Sequence, residues 1–136
     1  MKRVSVRRHR QSGQTIIEFA LGGATYLLLL LAAIDFAYAV FSYNEVASAA
    51  REAVRYAIVH GPNSPSPATT AQIQQAAINA AVGVPLATSN VTVSWSSDAR
   101  LSSQKDAQVT ISYNYHLLTM PVSFTLTSKS QMLASQ

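Results

Sequence analysis

Cysteine is absent from this 136-residue chain, which removes a disulfide framework, a thiol nucleophile and every cysteine-based metal site. Histidine is scarce. His9, His60 and His116 lie about fifty residues apart, with none of the short spacings by which imidazoles converge on a metal, so they read as solvated or capping groups. Acids number only six. Asp98 and Asp106 flank a loop with no histidine or second carboxylate at a defined spacing. The serines sit in turn-rich sequence without a nucleophile elbow, and no glycine-rich phosphate loop is present. The expectation is a chain that is not an enzyme and uses neither cofactor nor metal. Internal repeats are lacking too, and the length suits one small core.

The formal charge of +4 would ordinarily raise nucleic acid as a partner. Its distribution argues otherwise. Residues 1–13 carry Lys2, Arg3, Arg7, Arg8 and Arg10 and no acid, whereas residues 14–136 carry five basic residues against six acids. Basicity belongs to the amino-terminal tail alone, and nothing after it resembles a phosphate-binding stripe.

What the chain has in quantity is apolar sequence. Residues 16–41 read IIEFALGGATYLLLLLAAIDFAYAVF, with Glu18 and Asp35 as the only charges. As a helix rising about 1.5 Å per residue, this run is long enough for a hydrocarbon core roughly 30 Å thick. The stretch between the two acids, residues 19–34, is slightly short alone, so the expected span is 14–41. Asp35 then falls in the outer third of the bilayer, as an interfacial acid flanked by Tyr38 and Tyr43 or as the site of a partner contact. The excess of basic residues before the helix keeps the tail cytoplasmic and places everything after Phe41 on the other side.

Three fates fit the segment. A secretory signal would be cut after Ala39, at the small-residue site Ala37-Tyr38-Ala39. An ordinary anchor would stay uncut, with Glu18 an incidental acid favoured by the helix macrodipole. In the third, Gly13 and Glu18 form one device. Gly13 is a poor helix former at the junction of tail and helix, where the backbone can open for a protease. Cutting after it would leave Gln14 as the new terminus and Glu18 as residue five. The carboxylate would then face the positive helix end and an α-amine at the same depth, its own or a neighbour's, which offsets the cost of an acid in lipid.

The order of basic leader, Gly13-Gln14-Thr15-Ile16-Ile17-Glu18 and apolar run resembles the type IV prepilin class. The likeness extends further: Gly13-Gln14, Glu18-Phe19, the leucine run at residues 27–31, Asp35-Phe36 and AREAVRYA at residues 50–57 follow one another as in the TadE-like family, the minor pilins or pseudopilins of bacterial tight-adherence (Tad, Flp) pili. The resemblance covers about the first 60 residues. It implies removal of a leader, residues 1–13, by a prepilin peptidase that recognises Gly13, Gln14, Glu18 and Phe19. It also implies a single-pass subunit of the bacterial inner membrane, partnered by other pilin-like subunits and the Tad assembly machinery. Glu18, Ala20, Gly22, Gly23, Ala24 and Asp35 would serve helix–helix assembly, since small residues let helices approach closely in lipid. Two departures stand out. Gly22-Gly23 falls where the family commonly has apolar residues and often proline, and Gln14 replaces the Phe or Met usual at the first mature position of major pilins.

Past the membrane, Tyr43, Val46, Ala47, Ala50, Val54, Ala57 and Ile58 follow three- and four-residue steps. These predict that the helix continues through residues 42–60 until Gly61-Pro62 stops it. Arg51, Glu52 and Arg55 share a face there, as a solvated surface or a docking patch. Residues 61–70, GPNSPSPATT, read as a linker. In residues 71–136, Thr70 is expected to cap a short helix, AQIQQAAINAAV, ending at Gly83. Three alternating runs follow, with Val91, Val93 and Trp95, then Val109, Ile111, Tyr113 and Tyr115, then Val122, Phe124 and Leu126. Trp95 and the two tyrosines read as cross-strand packing rather than a ligand site, and Met120 as a loop or core residue. The expected class is α+β: a long membrane-spanning helix running into a small pilin-like head of one short helix and a three-stranded antiparallel sheet. So small a head needs the long helix to cover its sheet.

Overall fold

A computed structural model describes residues 12–97 and 105–133. Helix α1 (Ser12–Val59) runs unbroken for 48 residues, about 70 Å at 1.5 Å per residue. Alanine and leucine, both strong helix formers, dominate it, and no proline intervenes before Pro62. Thr25 returns its hydroxyl to the Leu21 carbonyl at 2.9 Å, which satisfies it inside an apolar helix. After Val59 the chain leaves the helix at Gly61-Pro62, as expected, because proline offers no N–H and its ring opposes a further turn.

The proline-rich connection is closed rather than slack, with the Ala68 N–H donating to the His60 carbonyl at 2.8 Å. Helix α2 (Thr70–Ala80) begins one residue earlier than the sequence suggested. Thr69, not Thr70, is its cap, because Gln72 stands three residues on and completes a reciprocal capping box. The Gln72 N–H donates to the Thr69 hydroxyl at 3.3 Å, and the Thr69 N–H to Gln72 Oε1 at 2.8 Å. Gly83 follows with φ +77°, its α-carbon facing the Phe41 ring. The left-handed backbone favours glycine there.

A single 3-10 turn (Thr88–Asn90) leads into β1 (Val91–Ser97), β2 (Lys105–His116) and β3 (Ser123–Leu133). The sheet is an antiparallel meander with β2 in the centre, registered by Val91 opposite Ile111 and Tyr115 opposite Phe124. On β2, Ala107, Val109, Ile111 and Tyr115 are buried in alternation, the period-2 pattern of a sheet covered on one face. Strand β3 outruns the apolar run that announced it. Val122 lies in the turn, and the polar SKSQ stretch is strand because its backbone pairs with β2, not because its side chains are buried.

α1 supplies the other half of the core. Val46, Ala49, Ala50, Ala53, Val54 and Ala57 are fully buried against Ile73 and Ala77 of α2 and against Val109 and Ile111 of the sheet. Each fully buried valine or isoleucine contributes about 1.5–3 kcal/mol, and the alanines let the backbones approach. The buried face is wider than the predicted stripe, taking in Ala49 and Ala53 and leaving Tyr43 half exposed. α1 is covered from two directions at once, by α2 and by β2 and β3.

Candidate functional site: the bare half of the long helix

α1 divides into two lengths. From Gly13 to Ile34 no residue is buried, although this is the most apolar part of the chain. Phe19 is 82% exposed and Leu29 66%. Gly22 and Gly23 have nothing within 4 Å of where a side chain would start; Gly23 shares a face with Ala20 and Ala24 at three- and four-residue steps, an open, shallow surface onto which a second helix can close, while Gly22 lies on the opposite side. Glu18 lies exposed on the same length. Gly13 and Gln14 sit in the first turn, already helical rather than extended. No acid occupies this first turn, and a cut after Gly13 would bring Glu18 one turn from the positive end. The basic residues of the tail fall outside the described residues.

The boundary between the lengths is Asp35. It is only 4% exposed, and its partners lie in its own chain, more than eighty residues away. Oδ1 accepts from the Leu118 N–H at 2.9 Å and Oδ2 from the Thr119 N–H at 3.2 Å. The Thr119 hydroxyl donates to Oδ2 as well, and the Tyr115 hydroxyl donates to the Asp35 carbonyl at 3.2 Å. One carboxylate thereby pins the β2–β3 turn to the helix, by the charge-assisted bonds that are strongest away from water. Tyr38 adds a tilted ring contact with Tyr115, centroids 6.0 Å apart, and its hydroxyl reaches the Gly83 carbonyl at 3.4 Å. The interfacial-acid reading of Asp35 with belt tyrosines missed this tie. Residue pattern gave no sign of it, beyond an acid facing a loop whose Thr119 could donate.

Burial raises the pKa of Tyr115, with the Asp35 carboxylate and the hydroxyls of Tyr38 and Tyr113 adding to it. Tyr113 is raised by burial and then by Tyr38. Trp95 and Tyr113 pack on the core as expected. Arg51, Glu52 and Arg55 are exposed on the outer length, opposite the face that the head covers. Met120 is a loop residue.

The features above define a class: a long apolar helix, long and apolar enough to cross a membrane, whose far end is the spine of a small α+β head. Residues 13–55 match the family model described as TadE-like protein, the family that the motifs between Gly13 and Tyr56 resemble. No curated protein and no solved structure matches the chain.

Proposed function

We propose that this chain is a minor pilin or pseudopilin of a Tad/Flp pilus system, cut after Gly13 by a prepilin peptidase and working in assembly of an adhesive pilus. In this reading it is anchored by α1 in the bacterial inner membrane, tail inside and head outside, as a substrate of processing rather than a catalyst. The observation that carries the reading is the coincidence of the TadE-like match with the bare length of α1. The matched segment begins at Gly13, and the part of it that no described head residue buries holds Glu18 and the small-residue face. Lipid and neighbouring pilin-like helices would cover that length, and the amine released at Gln14 would pair with Glu18 in the same or an adjacent subunit.

A secretory signal cut after Ala39 is disfavoured by a specific contact. That cut would remove Asp35 and strand the Leu118 and Thr119 N–H groups that it holds. The test is the amino-terminal mass of the protein expressed with its peptidase. A start at Gln14 supports the proposal, a start at Val40 would establish secretion, and an intact Met1 in functional material would leave a simple anchor. Glu18→Ala should permit cutting yet impair piliation.

A further inference from the structure

The β2–β3 turn hangs from the head toward the bare length of the helix, and its make-up is unusual for a loop in water. Leu118 is 72% exposed, Met120 57% and Val122 53%. From residue 107 to residue 128 there is no Asp, Glu, Lys or Arg. Thr119 and Met120 line a groove with Thr25, Leu28, Leu29 and Ala32, one to three turns of α1 before Asp35. The residues from Gly13 to Ile34 span about 33 Å at 1.5 Å per residue, close to the hydrocarbon thickness of roughly 30 Å. With the bilayer centred on that length, instead of on the 14–41 span expected from the sequence, its outer hydrocarbon boundary falls near Asp35 and Met120 falls inside it.

Most N–H groups of the turn are satisfied within the chain. The Leu117 N–H donates to the Val122 carbonyl at 3.1 Å, and the Val122 N–H to the Met120 carbonyl at 2.7 Å. The Leu118 and Thr119 N–H groups are taken by Asp35, and Pro121 has none. Met120 alone among these has an N–H without an acceptor among the described residues. Irregular backbone survives in lipid only where its polar groups are satisfied internally.

We infer that the β2–β3 turn is a second membrane-contacting element: Leu118, Met120 and Val122 insert into the acyl region of the outer leaflet beside α1, held at that depth by Asp35. The occupant of the apolar surface is the acyl chain of the bilayer that α1 crosses, because turn and helix are tied together at the point where the span ends. This rests on the membrane-anchored reading of α1. The head would be fixed in height and orientation instead of swinging on its helix.

The absence of cysteine makes the test direct. Full-length chains carrying Met120→Cys, Leu29→Cys or Thr127→Cys, each labelled with an environment-sensitive fluorophore, are placed one copy per phosphatidylcholine nanodisc. They are then probed with iodide from the water and with bromine on the acyl chains. The label at Met120→Cys should be quenched by brominated lipid like that at Leu29→Cys, and should resist iodide several-fold better than that at Thr127→Cys. Iodide quenching at Met120→Cys equal to Thr127→Cys, with Leu29→Cys still shielded, would overturn the inference alone. Exposure of both Met120→Cys and Leu29→Cys to iodide would overturn the membrane reading with it. Shielding of Met120→Cys that arises only when several copies share a disc would assign the surface to a second subunit and refute lipid as its occupant.

Discussion

The two lengths of α1 use the same residues to different ends. In the outer length, Ala49, Ala50, Ala53 and Ala57 are fully buried, and their small size lets α2 and the sheet approach the helix. In the inner length, Ala20, Gly23 and Ala24 offer the same shallow profile, and no described residue buries them. A small residue marks close approach in the outer length, where the partner is internal, and on the proposed reading it would do the same in the inner length with an external partner. The continuous helix couples them: on the proposed reading, whatever packs against the inner length in a membrane would also fix the position of the head.

Ala53→Leu against Ala24→Leu should separate the two lengths most strongly. Forcing a larger side chain into the closed face at Ala53 should cost about 3 kcal/mol, the upper part of the range for overpacked cores. Unfolding of the detergent-solubilised full chain, followed by fluorescence of its one tryptophan, Trp95, would register the loss. Ala24→Leu should leave that unfolding curve in place while weakening association in membranes. An equal loss for both would erase the distinction.

Asp35→Ala probes the boundary itself. It removes the acceptor of three hydrogen bonds and leaves two backbone N–H groups unpaired, for an expected cost of about 2 kcal/mol. Asp35→Asn, which retains acceptor oxygen, should cost less. No change in the Trp95 transition with Asp35→Ala would mean that the turn is held by packing alone.

The smallest effect should be alkaline. The folded-state pKa values of Tyr115 and Tyr113 are raised, so folding favours the neutral hydroxyls. That contribution is intact below the unfolded value, about 10 for tyrosine, and is lost as the pH climbs through the raised folded values. A pH series of unfolding midpoints should be level on the neutral side and fall above about pH 10, with a shallower fall in Tyr115→Phe.

The sequence announced most of this architecture, because its signals are local. The apolar run, the three- and four-residue steps and the stop at Gly61-Pro62 gave α1, and alternation gave three strands in their places. Errors came where neighbouring residues offered the same chemistry or where a decision depended on distant residues. Thr69 caps α2 through Gln72, but adjacent Thr70 offers the same chemistry. The end of β3 is set by pairing with β2, which polar SKSQ does not advertise. The tie from Asp35 to Leu118 and Thr119 joins positions with no shared periodicity, and two of its three bonds go to backbone groups that every loop possesses. Glu18 and the small residues were legible from charge and size, and no described residue of the chain buries them.

The central claim, that the inner length of α1 is left bare for other helices while the outer length is closed by its own head, is tested most directly by single-cysteine cross-linking along α1. Cysteines introduced one at a time at Ala20, Gly23, Ala24 and Leu27, and at Ala50, Ala53 and Ala57, would be cross-linked in membranes where the pilus system is active. The expected result is linkage to pilin-like subunits at the inner positions and none at the outer ones. Normal piliation with no linkage at any inner position, or linkage concentrated at Ala50, Ala53 and Ala57, would contradict it.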